Sequence, residues 1–254
     1  MPGQAKSDGV IAKAALILSA FSPSTPTYSV TELARATGLT PSTAMRRADD
    51  LVRAGLLEKD TSRCYSVAPK LQRIAAAAPT GKTLQEIARP VMQDICFATG
   101  YDVALIVLQG NEGLIVERLY GNERLKLHFT AGENVPLHCT GGGLALLAHL
   151  PTDFRNSILE GPLVAATPYT ETDPEKLRRL LAHVRKEGYV MSDRASNLAT
   201  FAIGAPVFGP GGAVAAGLSV VVDHKHVLKR ALIDTARVGA RVLSTRLGWK
   251  PQPR

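Results

Sequence analysis

Two adjacent arginines, Arg46 and Arg47, stand in the segment GLTPSTAMRRADDLVRAGLLEKD of residues 38–60. At helical spacing, Thr43, Arg46 and Arg47 fall at i, i+3 and i+4, so they share one face. An exposed arginine can donate two hydrogen bonds to O6 and N7 of guanine, and a threonine can serve a phosphate or a base. The segment therefore indicates a helix that enters the major groove of DNA, although a solvated charged face would show the same pattern.

Other polar residues of this segment would strengthen or oppose nucleic-acid binding. Ser42 lies near the start of the helix, where free backbone N–H groups attract phosphate. Asp49 and Asp50 would repel phosphate. We expect these two carboxylates to pair with Arg46, with Arg53 or with a neighbouring helix.

A β-hairpin is predicted directly after this helix, from LLEK, a polar turn and CYSV in residues 56–67. This hairpin forms a wing beside the helix. Lys59 and Arg63 lie at its tip, where their charge would position DNA without reading its sequence. The predicted DNA contacts are Thr40, Ser42, Thr43, Arg46, Arg47, Lys59 and Arg63.

The helix that carries the arginines is the second half of a helix-turn-helix pattern. Before it, Ser29 and Glu32 have the spacing of a capping box, and Gly38 suits the left-handed end of a helix. Thr40 is then the predicted N-cap and Pro41 the first residue of the second helix. Its apolar stripe consists of Ala44, Ala48, Leu51 and Val52.

A further helix is predicted at residues 10–21, which are apolar almost all round and are followed by two prolines. A helix of this kind must be buried. The sequence leaves two alternatives open, which are the core of its own domain and a second copy of the chain.

Composition suits one large or two modest globular domains, since the 254 residues are 45% hydrophobic and 20% charged. The net charge of +8 favours a polyanionic partner, and residues 1–78 hold ten lysines and arginines against six acidic residues. Cys64, Cys96 and Cys139 are too far apart for a disulfide framework or a zinc cluster, which favours a reducing cytoplasm. No apolar run is long enough to span a bilayer, so we expect a cytoplasmic protein without a membrane partner.

The second part of the chain predicts an α+β domain, in which helices cover an antiparallel sheet. A helical piece at residues 71–78 and a break at 79–82 precede it. Strands are predicted at 101–110, 113–120 and 124–130, with two more around a Pro-Gly-Gly turn within 201–223. Helices are predicted at 83–100 with a kink at Pro90, and at 141–150, 173–188 and 228–247.

Ser219 is the lone hydroxyl of the apolar run AVAAGLSVVV, so it needs a hydrogen-bond partner if it is buried. A backbone carbonyl is the ordinary partner, and a ligand carboxylate is the alternative. The glycines of CTGGG, at residues 139–143, would let the backbone approach a ligand closely. This loop is not a phosphate loop, because the sequence has no G-x-x-x-x-G-K-[ST] motif.

Two pairs of residues suggest other chemistry on type alone. His138 and Cys139 could be a base and a nucleophile, but neighbours on an extended segment point to opposite faces and no third group orients the histidine. His224 and His226 could touch a metal, yet no carboxylate or cysteine joins them in sequence. We therefore expect no enzymatic activity, no metal and no cofactor.

Two segments of the C-terminal part resemble the IclR family of bacterial transcriptional regulators. GENVPLHCTGGGLALLAHLP, at residues 132–151, is similar to the family's G-x-x-x-P-L-H-x-T-x-x-G segment. GYVMSDRASNLATFAIGAPVFGPGGAVAAGLSV, at residues 188–220, is similar to its GY-x-x-S-D…APVF-x-x-x-G-x-x-x-A-x-LSV segment. The winged helix-turn-helix pattern agrees with the family's N-terminal domain, so the resemblance covers nearly the whole chain.

The resemblance implies a dimer, or a dimer of dimers, that binds operator DNA and senses a small molecule, usually an organic acid. It implies a winged helix-turn-helix domain at residues 1–70, a linker helix at 71–81 and a GAF-like effector domain at 82–254. Ligand binding would change how the linker helix spaces the two winged domains of a dimer. The implied effector contacts are Cys139, Thr140, Gly141, Gly142, Met191, Asp193, Ala202 and Ser219.

Departures from the family's pattern leave the effector unnamed. Leu144 stands where a lysine is common, Arg194 and Ala195 stand where an acidic pair often follows SD, and ATFAIGAP replaces G-V-R-S-I-A-A-P. The sequence thus predicts a ligand-responsive transcriptional regulator in which an aromatic acid fits as readily as an aliphatic one. The alternatives are a C-terminal domain that serves only oligomerisation, and an enzyme that uses Cys139 and His138.

Overall fold

The computed structural model describes residues 9–22, 25–75, 79–122, 129–225 and 229–250. The chain divides into two compact units between Lys82 and Thr83. Its mixture of helices and antiparallel sheets confirms the predicted α+β class. Within the described residues, none of the helices combines the length and the apolar character that crossing a membrane requires.

The N-terminal unit packs helices against a small antiparallel sheet, whose described strands follow the order β1-β3-β2. Its core contains Ile17, Leu33, Leu51, Leu57 and Tyr65, each with almost no exposed surface. The two-residue strand β1 was not predicted, because so short a segment has no measurable periodicity. The elements are α1 (Val10–Leu18), β1 (Thr27–Tyr28), α2 (Val30–Thr37), α3 (Pro41–Arg53), β2 (Leu57–Lys59), β3 (Tyr65–Val67) and α4 (Pro69–Ala75).

Local signals set the helix-turn-helix geometry as the sequence predicted. The backbone N–H of Ser29 donates to the carboxylate of Glu32 at 2.8 Å, and the backbone N–H of Glu32 donates back to the hydroxyl of Ser29. Gly38 ends α2 with φ +68°, a value that glycine adopts without steric cost. Thr40 then occupies the N-cap of α3 and Pro41 its first turn.

Helix α1 is not buried all round. Ile17 is fully buried in the core of the unit, whereas Ile11 is 85% exposed and Leu16 is 45% exposed. One face of α1 therefore belongs to the core of its own unit, and the opposite face is exposed in the single chain.

The C-terminal unit surrounds an antiparallel sheet whose described strands follow the order β6-β5-β4-β9-β8-β7. Helix α5 begins at Pro79, where the sequence predicted a break, because a proline is well tolerated at the first helical position. The strand predicted at 124–130 lies mostly outside the described residues. The elements are α5 (Pro79–Thr99), β4 (Asp102–Gln109), β5 (Glu112–Leu119), β6 (Asn134–Val135), α6 (Gly141–His149), α7 (Thr152–Leu159), α8 (Pro174–Glu187), β7 (Val190–Asp193), β8 (Thr200–Phe208), β9 (Val214–Asp223) and α9 (Lys229–Arg246).

The two faces of this sheet bury different helices, because successive strand residues point to opposite sides. Residues such as Leu105, Ile203 and Leu218 pack with α5 and α9. Their neighbours on the strands face α6. Helix α6 is buried along nearly its whole length, which explains why its sequence GGGLALLAH is so apolar.

Glycines bring the start of α6 unusually close to strands β8 and β9. A Cβ atom on Gly204 would lie 1.9 Å from the carbonyl oxygen of Gly141, and one on Gly217 would lie 1.9 Å from that of Gly142. The two glycine pairs therefore let the helix backbone rest directly on the sheet, which places the N-terminus of α6 beside the middle of β9.

Candidate functional site

The buried residues of α3 show which face of this helix is exposed. Ala44, Ala48 and Leu51 lie in the core, as the apolar stripe predicted. Arg46 points away from them and is exposed, and Met45 beside it is 48% exposed. The sequence pattern does not indicate that Met45 is exposed, since a methionine beside an apolar stripe is usually part of the core.

Hydroxyl groups surround the beginning of α3. The hydroxyl of Thr40 donates to that of Thr43 at 2.9 Å, and Ser42 is exposed. Thr40 is the N-cap residue, but its side chain makes no capping hydrogen bond to the helix backbone. The first turn therefore combines free backbone N–H groups with three hydroxyls, an arrangement that suits a phosphate.

Arg47 does not lie on the exposed face where the sequence placed it. Its side chain is only 13% exposed, and its Nη1 atom lies 2.6 Å from Oδ2 of Asp50. The reason is helical spacing, because Arg47 follows buried Ala44 by three residues and precedes buried Leu51 by four, which puts it beside the apolar stripe. Asp50 also pairs with Arg53, one of the three partners that the sequence suggested.

Lys59 is part of a network that ties the wing to α3. Its Nζ atom lies 3.0 Å from Oδ1 of Asp49, and the Tyr65 hydroxyl donates to the same oxygen at 2.8 Å. The contacts with Tyr65 and Asp49 raise the pKa of Lys59. Burial opposes ionisation of Asp49, but the hydrogen bonds from Tyr65 and Lys59 outweigh it and lower the pKa of this carboxyl. Lys59 therefore fixes the position of the wing in addition to carrying charge.

Arg63 occupies the tip of the wing and is exposed. Its φ of +63° places its backbone in the left-handed region, which residues other than glycine, asparagine and aspartate rarely adopt. The turn is closed by Asp60, whose Oδ1 accepts a hydrogen bond from the backbone N–H of Cys64 at 2.9 Å. The wing thus presents the cation of Arg63 at its outermost point.

The C-terminal unit contains a small cavity of about 60 Å³ between α6 and the face of the sheet that α6 covers. Its apolar wall consists of Ala104, Ile106, Ile115, Phe129, Ala202 and Val221. Its polar wall consists of Asp102, Arg118, Thr140, Ser196, Thr200 and Ser219, together with Gly141. A mostly apolar cavity with a few convergent polar groups is the usual form of a small-molecule site.

The N-terminus of α6 forms one end of this cavity. The N–H of Gly142 donates to Oγ of Ser219 at 2.8 Å, and the N–H of Gly143 donates to Oγ1 of Thr140 at 3.1 Å. In the part of the chain that the structure describes, the N–H of Gly141 has no partner. Because Ser219 accepts from Gly142, its hydroxyl proton is left to donate, so two donors converge on the positive end of a helix dipole.

A buried ion pair forms another part of the wall. Nη2 of Arg118 lies 2.7 Å from Oδ2 of Asp102, and the two side chains are 4% and 1% exposed. Oδ1 of Asp102 accepts from the N–H of Gly121, and Arg118 also donates to the carbonyl of Phe129. No motif in the sequence pointed to this pair, because its members are 16 residues apart and meet only through the pairing of β4 with β5.

Four of the predicted effector contacts line the cavity, namely Thr140, Gly141, Ala202 and Ser219. Met191 and Asp193 do not. They pair with Ile203 and Phe201 on β8, and directly opposed residues share a face, so both lie on the side of the sheet away from the cavity. Asp193 instead contacts His224, whose Nδ1 lies 2.7 Å from Oδ1.

Cys139 and Gly142 lie beside the cavity without lining it. Gly142 packs against Gly217, so its missing side chain serves helix packing and not ligand access. Cys139 is fully buried, and its Sγ faces the carbonyl of Pro136 at 3.4 Å. Burial raises the pKa of its thiol to about 11, which keeps it protonated at neutral pH.

His138 does not activate Cys139. Its Nε2 lies 3.0 Å from the carbonyl of Val164, and burial lowers its pKa, so it is a neutral donor to the backbone. Both side chains are therefore satisfied by main-chain carbonyls and not by each other. Of the other candidate pair, His226 lies outside the described residues, and the described part of the chain holds no group of three metal-binding side chains.

Comparison with known proteins agrees with this arrangement of sites. Residues 10–61 match the family model of the IclR helix-turn-helix domain, and residues 76–245 match that of the bacterial transcriptional regulator IclR C-terminal domain. The chain is 30% identical over 196 residues to the HTH-type transcriptional regulator KipR of Bacillus subtilis, covering 77% of this chain and 78% of KipR. It is 32% identical over 193 residues to the regulator BhcR of Paracoccus denitrificans, covering 75% and 69%.

Solved structures show the same relationship. The crystal structure of an IclR homologue from Microbacterium hydrocarbonoxydans, complexed with 4-hydroxybenzoate, superimposes with a TM-score of 0.86 at 29% identity. The superposition covers 94% of this chain and 99% of that one. The relatives are regulators by name and not enzymes, in agreement with the sequence prediction. With a helix-turn-helix domain and an effector domain in the expected order, the chain belongs to the IclR family of bacterial transcriptional regulators.

Proposed function

We propose that this regulator binds double-stranded operator DNA through the first turns of α3 and the tip of the wing. Arg46 carries this proposal, because it is exposed beside the hydroxyls of the first turn, where a helix enters the major groove. Arg46 and Met45 would contact base edges, the methionine suiting a thymine methyl group. Thr40, Ser42, Thr43 and Arg63 would contact phosphates. Arg47 and Lys59 would act by holding α3 and the wing in place.

We also propose that the effector is a small organic acid bound in the cavity of the C-terminal unit. The N–H of Gly141, which has no partner among the described residues, and the hydroxyl of Ser219 are donors for a carboxylate at the positive end of α6. The volume of about 60 Å³ suits a short acid without rearrangement. An aromatic acid, such as the 4-hydroxybenzoate of the Microbacterium homologue, would require the walls to move apart, since a cavity that takes up benzene measures roughly 150 Å³.

Regulation then requires that the acid bind one arrangement of the protein more tightly than another. We place this difference in a homodimer, or a dimer of dimers, whose linker at residues 71–81 sets the spacing of two winged domains at residues 1–70. The effector domain would comprise residues 82–254. The exposed residues Ile11 and Leu16 of α1 are candidates for the contact between copies.

Fluorescence anisotropy with labelled upstream DNA tests the proposal. We compare the wild-type protein, Arg46→Ala and the charge-matched control Arg179→Ala, whose arginine is exposed on α8. Arg46→Ala should weaken specific binding by about 1–3 kcal/mol, whereas Arg179→Ala should leave it unchanged. Equal losses in both variants would show that net charge, and not the face of α3, determines binding.

The same titration tests the effector when it is repeated with short and aromatic carboxylates. An acid that shifts the DNA affinity of the wild-type protein should lose its effect in Ser219→Ala, while binding of DNA without the acid stays unchanged. If Ser219→Ala responds to that acid like the wild type, the cavity is not the effector site.

A further inference from the structure

A second cavity of the C-terminal unit measures about 260 Å³ and shares no lining residue with the cavity beside Ser219. It lies between the turn that joins β4 to β5, the residues before α6, and the end of α7 with the loop that follows. Its apolar wall includes Leu137, Ile158 and Leu163. Since a cavity that takes up benzene measures roughly 150 Å³, this one has room for an apolar group and a polar group together.

His138 lines this second cavity although it is only 5% exposed. Its Nε2 atom carries the ring proton, because its partner at 3.0 Å is the carbonyl of Val164, which can only accept. Burial lowers the pKa of the imidazole, so the other nitrogen, Nδ1, stays unprotonated. Nδ1 has no hydrogen-bond partner among the described residues. The nearly buried ring therefore keeps an unused acceptor for a molecule in the cavity.

Two further side chains of this cavity also accept hydrogen bonds. The hydroxyl of Ser157 donates its proton to the carbonyl of Phe154 at 2.7 Å, so its lone pairs are left to accept. The exposed carboxylate of Glu112 accepts hydrogen bonds and carries a negative charge. The described residues that line the cavity include no lysine or arginine, and the amide of Asn111 is the remaining polar side chain. The side chains of this cavity are thus rich in acceptors and poor in donors.

The strand register brings Glu112 towards His138. Gly113 on β5 pairs with Val135 on β6 in an antiparallel ladder. One residue further along this ladder, Glu112 stands opposite Pro136, which is two residues before His138. The carboxylate and the imidazole therefore belong to adjoining segments at one end of the sheet.

An ammonium group satisfies such a set of acceptors. It has three donor hydrogens and no acceptor, and the charge of Glu112 attracts it. A carboxylate would be repelled by Glu112 and would meet acceptors where it needs donors. The chemistry is the reverse of that in the cavity beside Ser219, where the positive end of a helix favours an anion.

We propose that the second cavity is a binding site for a primary amine with an apolar body. The ammonium group donates to Nδ1 of His138 and is attracted by Glu112, and the apolar body packs against Leu137, Ile158 and Leu163. This site is separate from the acid cavity and goes beyond the proposed function. The segment that leads into α6 borders both sites, because His138 lines one cavity and Thr140 lines the other.

Isothermal titration calorimetry of the full chain with two pairs of ligands tests the inference. Each pair exchanges an ammonium group for a hydroxyl on the same apolar body, namely 2-phenylethylamine with 2-phenylethanol and 3-methylbutylamine with 3-methylbutanol. In at least one pair, the amine should bind about fivefold or more tightly than the alcohol, because hydrogen bonds from a charged donor are stronger than those from a neutral one. Affinities that do not favour the amine in either pair, or no binding by either amine, would overturn the inference.

The variant Glu112→Gln locates the amine in this cavity. It keeps the shape of an exposed side chain and removes its charge, so we expect it to fold like the wild type. It should lower the affinity for the amine about threefold or more and leave the affinity for the alcohol unchanged.

Glu58→Gln is the matched control, because it removes the same charge from an exposed position of the N-terminal unit. It should bind the amine like the wild type. An amine that binds Glu112→Gln as tightly as it binds the control is held elsewhere on the protein, and this result would overturn the assignment of the cavity.

Discussion

Gly204 and Gly141 lie so close together that a Cβ atom on Gly204 would come within 1.9 Å of the carbonyl oxygen of Gly141. Gly204 is on β8 and Gly141 begins α6, so this contact sets the height of the helix above the sheet. Gly217 and Gly142 repeat the contact on β9. The position of Ser219 under the start of α6, and with it one end of the cavity, depends on these glycine pairs.

Gly204→Ala should therefore destabilise the C-terminal unit. The new methyl group would meet backbone atoms, which cannot rotate away as a side chain can, so α6 must shift or the strand must bend. We expect the free energy of unfolding in urea to fall by about 1–3 kcal/mol.

Gly209→Ala is the matched control, because Gly209 has φ −96° and its nearest atom would lie 3.6 Å from the new Cβ. It should change the free energy of unfolding by less than about 0.5 kcal/mol. If Gly204→Ala were as stable as this control, the result would contradict the close approach of α6 to the sheet.

Mutations of the two neighbouring arginines of α3 should differ in their effect on the free energy of unfolding. Arg47→Ala removes a largely buried side chain and one partner of Asp50, so it should lower the free energy of unfolding by about 1 kcal/mol. Arg46→Ala removes an exposed side chain and should lower it by less than about 0.5 kcal/mol. Urea unfolding measures both, and a larger loss in Arg46→Ala would contradict the orientation of the helix.

Signals that act within a few residues were predicted from the sequence. The capping box of Ser29 and Glu32, the left-handed Gly38 and the buried face of α3 each depend on neighbours at fixed spacing, which the chain itself displays. Arg47 was misplaced because it sits at the border of that face. At this border, two adjacent positions of the helix can differ in whether their side chains are exposed or buried.

Contacts that depend on strand register could not be predicted from the sequence. Met191 and Asp193 belong to a family pattern, but only the pairing of β7 with β8 shows which face of the sheet they occupy. Arg118 and Asp102 come together only when β4 and β5 pair, and neither stands in a recognisable motif. Ser219 could be predicted because a single hydroxyl in an apolar run is conspicuous without any knowledge of its neighbours.

Arg63→Gly should weaken DNA binding without harming the fold. Glycine adopts the left-handed backbone of this position more easily than arginine, while the unfolded chain gains freedom, so we expect the two effects to cancel to within about 1 kcal/mol. Loss of one phosphate contact should reduce the slope of log affinity against log salt by about 1.

Anisotropy titrations at several salt concentrations measure this slope, and Arg63→Asn serves as a second variant that tolerates the left-handed conformation. Specific and unrelated DNA should lose affinity to a similar extent. A loss confined to the specific sequence would mean that the wing reads bases.

Cys139 should resist alkylation in the folded protein. With its pKa raised by burial to about 11, only about one thiol in a thousand is ionised at pH 8, and the side chain has no exposed surface. Treatment with iodoacetamide followed by mass spectrometry should modify the partly exposed Cys64 first and reach Cys139 only after denaturation.

The same burial predicts a pH dependence of stability. Because the pKa of Cys139 is higher in the folded chain than its ordinary value of 9.0, ionisation favours the unfolded state as pH rises from 9 through 11. Cys139→Ala should remove this component of the alkaline loss of stability. Rapid alkylation of Cys139 at pH 7 that disappears in His138→Ala would instead indicate an activated thiol, and the interpretation of His138 as a donor to the carbonyl of Val164 would have to be abandoned.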